Sequence, residues 1–239
     1  SIMAIDTMRY VPVGYDIRGE MMLLSYMIVW FHKLATSFGA SESITQSAVL
    51  FPVFMFGLTI IAFFLMTRKI FLKSLGENSA NIIALISSFF LSVMPPLLPR
   101  TIAGIPEKES AAFFFIFLSF YLFLCAWESK HKYGKYVFAL LAGLSTGAAA
   151  LIWGGYSYII VTIGLSLNIA FILQKITKER IYICLIWIVT SFLLMNNYST
   201  RYTLNGFINS TVGIILIAPI IFGLIHIYLS PKINNSDKF

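Results

Sequence analysis

The sequence contains long apolar stretches separated by short polar segments, and this pattern limits what the chain can fold into. A helix needs about 20 mainly apolar residues to cross a hydrocarbon core of about 30 Å, and lipid offers no partner to exposed backbone groups. Only 11% of the 239 residues are charged, whereas soluble domains average about 25%. The pattern predicts an all-α, polytopic membrane protein. We expect about seven transmembrane helices, over residues 44–67, 80–98, 110–127, 136–152, 156–174, 181–196 and 207–229.

A shorter apolar run near the N-terminus predicts a different kind of helix. Residues 21–31 form a run of 11 residues that His32 and Lys33 end, and this is short for a span. We expect a helix over residues 20–37 that lies in the membrane interface, with a true span as the alternative. The expected organisation has three parts: an external segment with this helix at 1–43, a transmembrane domain at 44–229 and a cytoplasmic tail at 230–239.

The distribution of basic residues predicts the orientation in the membrane, because cytoplasmic loops are enriched in lysine and arginine. Eleven of the 17 basic residues lie in one set of alternate loops and the C-terminal tail, and six lie in the other set. The first set comprises residues 68–78, 128–135, 174–180 and 230–239. We expect this set to be cytoplasmic, so that the loop at 99–109 is external or lumenal. The net charge of +7 is then a topology signal, and we expect no nucleic acid as a partner.

A charged loop, Arg-Thr-Ile-Ala-Gly-Ile-Pro-Glu-Lys-Glu at 100–109, opens the third predicted span. Glu107 and Glu109 form a Glu-x-Glu pair, and such a pair can direct two carboxylates at one hard cation such as Mg²⁺ or Mn²⁺. Arg100, on the other side of the loop, can hold an anion or orient the carboxylates. The alternative is that both glutamates are solvated residues that complement the dipole of the following helix.

Two glycine-containing segments predict features of helix packing. Residues 153–156, Trp-Gly-Gly-Tyr, predict a tight turn between two spans at the membrane interface. Gly143 and Gly147 are spaced as small residues are in packed membrane helices. Cys125 and Cys184 lie in separate apolar runs, so the sequence provides no disulfide framework and no cysteine metal site.

The order of these features resembles the catalytic subunit of oligosaccharyltransferase, the membrane enzyme of asparagine-linked glycosylation. The family pattern is approximately Arg-Thr-x-(Ala/Ser)-Gly-x-x-Asp-x-(Asp/Glu), and the segment at 100–109 matches it in register. The Trp-Gly-Gly-Tyr turn is similar to the family's Trp-rich turn. The segment Asp-Thr-Met-Arg-Tyr-Val-Pro-Val-Gly-Tyr-Asp at 6–16 is similar to the end of the first external loop in the archaeal branch.

The resemblance implies a fold, an activity and a site. The chain would hold about helices two to eight of a thirteen-helix GT-C type glycosyltransferase domain. It would belong to an enzyme that moves a glycan from a polyprenyl-(pyro)phosphate donor to asparagine in Asn-x-Ser/Thr acceptors. The resemblance implies Mn²⁺ or Mg²⁺ as cofactor, Glu107 and Glu109 as metal ligands, and Arg100 beside them. It also implies a multi-pass cell membrane location, or the endoplasmic reticulum membrane in a eukaryote.

The sequence departs from the family pattern in ways that predict a fragment. Glu107 stands where the family usually has aspartate. The family's first ligand aspartate would lie before Ser1, and its later glutamate and Trp-Trp-Asp motif after Phe239, so we expect an incomplete enzyme. Two alternatives are another GT-C lipid-linked glycosyltransferase and a non-enzymatic transport or structural membrane protein. The six spans before residue 207 lack central charges, which favours chemistry at the membrane surface over transport.

Overall fold

The computed structural model describes residues 5–17, 20–131 and 133–236, with side chains as far as Ile225. A short antiparallel hairpin pairs Ile5 with Asp16, and helices form almost all of the remaining regular structure. The elements are β1 (Ile5–Asp6), β2 (Tyr15–Asp16), α1 (Leu23–Ser37), α2 (Ile44–Ser92), a 3₁₀ turn (Leu98–Arg100), α3 (Lys108–Glu128), α4 (Gly134–Ile152), a second 3₁₀ turn (Gly154–Tyr156), α5 (Ser157–Ile172), α6 (Lys178–Tyr198), α7 (Leu204–Ile208) and α8 (Thr211–Ser236).

The helices confirm the predicted all-α membrane fold. Among the described residues, five helices are long and apolar enough to cross a membrane: Ile44–Ser92, Lys108–Glu128, Gly134–Ile152, Gly154–Ile172 and Lys178–Tyr198. A shorter apolar helix spans Thr211–Ile225. The protein is therefore a membrane protein whose helices form one packed bundle.

Helix α2 contains the predicted span at 44–67 and most of the one at 80–98, but it corrects the prediction of a loop between them at 68–78. Helical structure continues through this segment and is interrupted at Gly76, which has φ 78° and ψ 173°. Arg68 Nε donates to Asn81 Oδ1 at 2.6 Å, although residues 13 positions apart are about 20 Å apart in a straight helix. The chain therefore reverses at Gly76, and α2 is a helical hairpin with two arms. The second arm ends at Ser92, before the Pro-Pro pair at 95–96, and not at residue 98 as predicted.

Helix α1 lies within the predicted helix at 20–37 and has 15 residues, about 22 Å in length. It packs on the first arm of α2, where the Phe31 ring centroid lies 5.8 Å from that of Phe51 and 4.9 Å from that of Phe54. Its position in the membrane interface stays a prediction. The hairpin before it was not predicted. Near the end of that hairpin, Tyr15 donates to the Glu20 carboxylate at 3.0 Å, and this bond raises the pKa of Tyr15.

Helix α4 lies between α3 and α6, and small residues allow the close approach. A Cβ atom at Gly143 would lie 2.7 Å from the carbonyl oxygen of Trp187, and one at Gly147 would lie 2.8 Å from Leu194. This confirms the packing role predicted for the two glycines.

Buried hydrogen bonds connect the same three helices. Trp187 Nε1 on α6 donates to Thr146 Oγ1 on α4 at 2.9 Å. The Thr146 and Ser119 hydroxyl oxygens are 2.6 Å apart, and this contact joins α4 to α3. We call these three side chains the hydroxyl–indole network.

The bundle has two chemically different ends. At one end, Lys69 pairs with Glu128 at 3.1 Å and Lys135 pairs with Glu179 at 2.6 Å, so the three internal basic segments meet there as the alternate-loop prediction requires. Three residues of the basic count lie outside the described residues: Arg18, Lys132 and Lys238. At the other end lie the loop after α2, the Trp-Gly-Gly-Tyr turn and α1. Which end faces the cytoplasm stays a prediction.

The last predicted span, 207–229, is divided in the structure. Helix α7 ends at Ile208, and α8 begins at Thr211. Ser210 Oγ accepts from the Gly213 amide at 3.0 Å and so caps the new helix. Helix α8 then continues to Ser236, into the predicted tail at 230–239, whose last three residues lie outside the described part.

Candidate active site and family

The loop that carries Arg100 is anchored to the bundle by its backbone. The 3₁₀ turn Leu98–Arg100 leads into Thr101, which is buried and donates from Oγ1 to the Leu97 carbonyl at 3.0 Å. The Gly104 amide donates to the Val49 carbonyl on α2 at 3.1 Å. Gly104 has φ +153°, a conformation that favours glycine. The loop is therefore held between α2 and the start of α3.

One nitrogen of Arg100 brings the two predicted carboxylates together. Arg100 Nη1 lies 2.5 Å from Glu107 Oε2 and 2.9 Å from Glu109 Oε1. Because both bonds end on the same nitrogen, the two carboxylates converge on one point. The exposed fraction of the side chain falls from 41% at Glu107 to 19% at Glu109. The structure thus places all three predicted site residues in one cluster at the mouth of α3.

The start of α3 shows that helix capping does not account for the Glu107 side chain. Glu107 occupies the N-cap position with extended backbone angles, φ −77° and ψ 155°, but its side chain makes no capping hydrogen bond. Its carboxylate pairs with Arg100. Ser110 is buried and donates to the Glu107 carbonyl at 2.7 Å. Glu109 lies in the first turn, where a negative charge also complements the helix dipole.

The donor set fits part of a site for a hard divalent cation. Glu107 uses Oε2 and Glu109 uses Oε1 in the bonds to Arg100, so each carboxylate keeps a second oxygen. Mg²⁺ is commonly held by one or two carboxylates together with substrate phosphate oxygens. Within the described residues, no group of three or more His, Cys, Asp or Glu side chains is suitably placed for a metal ion. Residues described here would therefore supply two carboxylate ligands.

The Trp-Gly-Gly-Tyr turn packs beside the first turns of α3. The Trp153 ring centroid lies 5.9 Å from that of Phe113, one turn after Glu109. A Cβ atom at Gly155 would lie 1.9 Å from the Trp153 ring, so this glycine allows the indole to fold over the turn. The sequence predicted an interfacial turn but not this contact with the helix that carries the glutamates.

Two positioning residues, one inside the loop of Arg100 and one at the end of α4, were not predicted. The buried Thr101 orients the loop after Arg100, and its place inside the matched motif was the available signal. Tyr202 donates to the Ala150 carbonyl at 2.7 Å and holds the end of α4 against the segment after α6. Burial raises the pKa of the Tyr202 hydroxyl. Nothing in the sequence around Tyr202 indicated this contact.

Comparison with known proteins identifies the family. The family model described as "Oligosaccharyl transferase STT3, N-terminal" matches residues 3–237. The chain belongs to this family. The match covers nearly the whole sequence, including the loop of Arg100, the Trp-Gly-Gly-Tyr turn and the basic segments. The predicted resemblance is confirmed.

Curated relatives in the STT3 family are named glycosyltransferases. The chain is 26% identical over 182 residues to the dolichyl-diphosphooligosaccharide–protein glycosyltransferase subunit stt-3 of Caenorhabditis elegans, covering 74% of this chain and 22% of the relative. It is 25% identical over 182 residues to the STT3B subunit of Arabidopsis thaliana, covering 74% of this chain and 23% of the relative. The chain thus spans less than a quarter of the length of these relatives.

Solved structures show the same fold. A crystal structure of the Archaeoglobus fulgidus oligosaccharyltransferase in complex with Zn and sulfate superposes with a TM-score of 0.71 at 18% identity, covering 98% of this chain and 30% of that chain. The archaeal AglB in complex with an inhibitory peptide and a dolichol-phosphate gives 0.65 at 19% identity, with 99% and 28% covered. These comparisons agree with the predicted glycosyltransferase membrane domain and not with the alternatives.

Proposed function

We propose that this STT3 segment belongs to an enzyme that transfers a glycan from a polyprenyl-(pyro)phosphate donor to asparagine in Asn-x-Ser/Thr acceptors. Support comes from the family and from the curated relatives, which are named dolichyl-diphosphooligosaccharide–protein glycosyltransferases. The archaeal neighbours include complexes with a dolichol-phosphate and with a tethered acceptor peptide containing the NVT sequon. The partners proposed for this chain are a lipid-linked oligosaccharide, an acceptor polypeptide and the bilayer.

The site proposed for this activity is the cluster of Arg100, Glu107 and Glu109. The observation that carries the proposal is the single Arg100 nitrogen that contacts both carboxylates. Glu107 and Glu109 are the proposed ligands of Mn²⁺ or Mg²⁺, through the oxygens that Arg100 leaves available. A bound divalent cation stabilises negative charge on a leaving phosphate. Arg100 would restrain the two carboxylates, and its remaining donors would face the same phosphate oxygens.

The proposed location of the site is the external or lumenal face of a multi-pass membrane. The basis is the excess of basic residues at the opposite end of the bundle. A site at this surface is accessible to a lipid-linked donor within the leaflet and to an acceptor polypeptide in water. The tight Trp153 turn and α1 would form the apolar border of this site.

The test measures glycosylation of an acceptor peptide by the full-length protein as a function of Mn²⁺ concentration. Glu107→Gln and Glu109→Gln each remove a ligand charge but keep the side-chain shape. We expect half-saturation to move to Mn²⁺ concentrations at least 10-fold higher in each, by analogy with the loss of groups that support a metal. Arg100→Ala should lower the rate with a smaller change in the Mn²⁺ requirement.

Glu42→Gln is the matched control for these variants. Glu42 is exposed and lies between α1 and α2 on the same predicted external side, so the same change of charge occurs away from the cluster. Its Mn²⁺ dependence should equal that of the unmodified protein. Normal activity of both glutamine variants at limiting Mn²⁺ would show that the glutamates are not metal ligands.

A further inference from the structure

The end of the bundle opposite Arg100 contains a cavity of about 840 Å³ that is rich in positive charge. We call it the basic pocket. Two carboxylates, of Glu128 and Glu179, also line it, so the basic residues exceed the acidic ones by four. The basic residues are Lys69, Lys73, Lys130, Lys135, Lys175 and Arg180.

The carboxylates in the basic pocket are already paired, whereas three of its lysines have no acidic partner among the residues that the structure describes. Glu128 pairs with Lys69 at 3.1 Å, and Glu179 pairs with the buried Lys135 at 2.6 Å. In the described part of the chain, no carboxylate pairs with Lys73, Lys130 or Lys175. These three lysines therefore leave a positive field at the pocket that an anionic ligand would neutralise.

Arg180 lines the basic pocket beside the aromatic ring of Trp127. Its guanidinium carbon lies 4.6 Å above the centre of the Trp127 ring, a cation–π contact. Arg180 Nη1 also donates to the Lys175 carbonyl. Two contacts thus hold the guanidinium, and Trp127 also lines the basic pocket.

A second cavity, of about 470 Å³, continues from the basic pocket along the span. We call it the apolar groove. Trp127 and Ala170 line both cavities. Helices α2, α3 and α5 contribute to both, and α4 and α6 also line the basic pocket. The other lining residues of the apolar groove include Met66, Ile70, Phe117, Phe120, Phe123 and Leu124. The charged cavity thus adjoins an apolar one, and the two share Trp127 and Ala170.

We propose that an anionic phospholipid binds here, with its phosphate in the basic pocket and an acyl chain in the apolar groove. Lysine ammonium groups are good donors to phosphate oxygens, and basic pockets between membrane helices bind anionic headgroups. A free phosphate would use only the basic pocket, and a zwitterionic lipid would leave the excess positive charge uncompensated. The binding site is separate from the cluster at Arg100, which lies at the opposite end of the bundle.

The test uses the full-length protein reconstituted in nanodiscs with a trace of phosphatidylglycerol that carries a photoreactive diazirine in one acyl chain. Cross-linked peptides are mapped by mass spectrometry. We expect adducts in residues 117–127 and 162–170, displaced by unlabelled phosphatidylglycerol but not by phosphatidylcholine or by inorganic phosphate. Lys130→Gln should raise the amount of unlabelled phosphatidylglycerol needed for half-displacement by about fivefold. This is the equivalent of about 1 kcal/mol for one lysine near a membrane surface. A triple variant that combines Lys73→Gln, Lys130→Gln and Lys175→Gln should raise this amount more than tenfold.

Lys33→Gln is the matched control, because Lys33 is an exposed lysine on α1, near the other end of the bundle. Photo-labelling of this variant by the diazirine lipid should equal that of the unmodified protein. Equal displacement by phosphatidylcholine, labelling that survives the triple variant, or an absence of adducts on these helices would each overturn the proposal. Displacement by inorganic phosphate alone would show an anion site without a lipid. The readout does not depend on glycosylation, so the proposal can fail or succeed independently of the proposed activity.

Discussion

A single nitrogen atom, Nη1 of Arg100, contacts both Glu107 and Glu109, and its contribution to stability is small. About half of the Arg100 side chain is exposed, and exposed ion pairs contribute about 0–1 kcal/mol. The value of this arrangement is geometric, because it fixes the separation and direction of two carboxylates. The sequence spacing predicted that the three charges share a loop. It did not predict the shared nitrogen, which depends on how the loop is anchored at Thr101 and Gly104.

Gly155 provides a residue-scale prediction about the neighbouring turn. Gly155→Ala would place a Cβ atom 1.9 Å from the Trp153 ring, and that ring packs against Phe113. We expect a loss of about 1–3 kcal/mol in stability, the usual cost of overpacking, measured as a lower melting temperature in detergent.

Gly154→Ala is the control for this substitution. A Cβ atom at Gly154 meets nothing within 4 Å, so its melting temperature should be nearly unchanged. Equal effects at the two positions would show that the close approach of the indole is not what requires glycine at residue 155.

At the scale of an element, α2 shows where sequence patterns predict well and where they do not. Apolar runs located both of its arms, because burial in lipid is a property of composition. The connection between the arms was wrongly predicted as a loop, because it contains the charged residues Arg68, Lys69 and Lys73, which are typical of loops. Lysine and arginine, however, continue a helix readily. The reversal depends on the backbone angles of one residue, Gly76. Similarly, the break between α7 and α8 depends on a cap at Ser210 that the apolar pattern obscured.

Gly76 therefore gives a prediction for the stability of the helical hairpin of α2. Its angles, φ 78° and ψ 173°, lie in a region that is essentially restricted to glycine and that costs other residues about 1–3 kcal/mol. Gly76→Ala should lower the free energy of unfolding by about this amount, measured by denaturant titration in micelles. A Cβ atom there meets nothing within 4 Å, so the loss would come from the backbone alone.

Gly57→Ala separates the backbone effect from a general effect of alanine. Gly57 lies in the first arm of the same helix and also has nothing within 4 Å of a Cβ atom, but it has ordinary helical geometry. This variant should be unchanged or more stable by about 0.5–1 kcal/mol. A loss of stability in both variants would contradict a special role for Gly76.

For the whole molecule, the two ends of the bundle differ in charge, and the sequence predicted this division. The alternate-loop count depends on nothing but the number of spans and the positions of lysine and arginine. The structure brings the internal basic segments together at one end and the candidate site to the other. The packing between helices was less predictable, because it depends on side chains that are distant in sequence, such as Tyr202 against Ala150.

The membrane orientation is tested by thiol labelling of intact cells with an impermeant maleimide. In a background with Cys125 and Cys184 replaced by serine, Ile105→Cys should react, because Ile105 is 84% exposed in the loop after Arg100. Ser74→Cys and Thr177→Cys, both exposed at the basic end, should react only after the membrane is permeabilised. The reverse pattern would place the Arg100 cluster on the cytoplasmic side and refute the proposed location.

The hydroxyl–indole network has a consequence for how the three helices are aligned along their axes. Close packing at small residues and hydrogen bonds between helices both hold membrane helices together. The contacts of Thr146 with Trp187 and Ser119 permit a single alignment. Glu109 lies ten residues before Ser119, about 15 Å along α3, and Trp153 lies seven residues after Thr146, about 10 Å along α4. A change in these three polar groups would therefore alter the relative heights of the carboxylates and the indole at that end of the bundle.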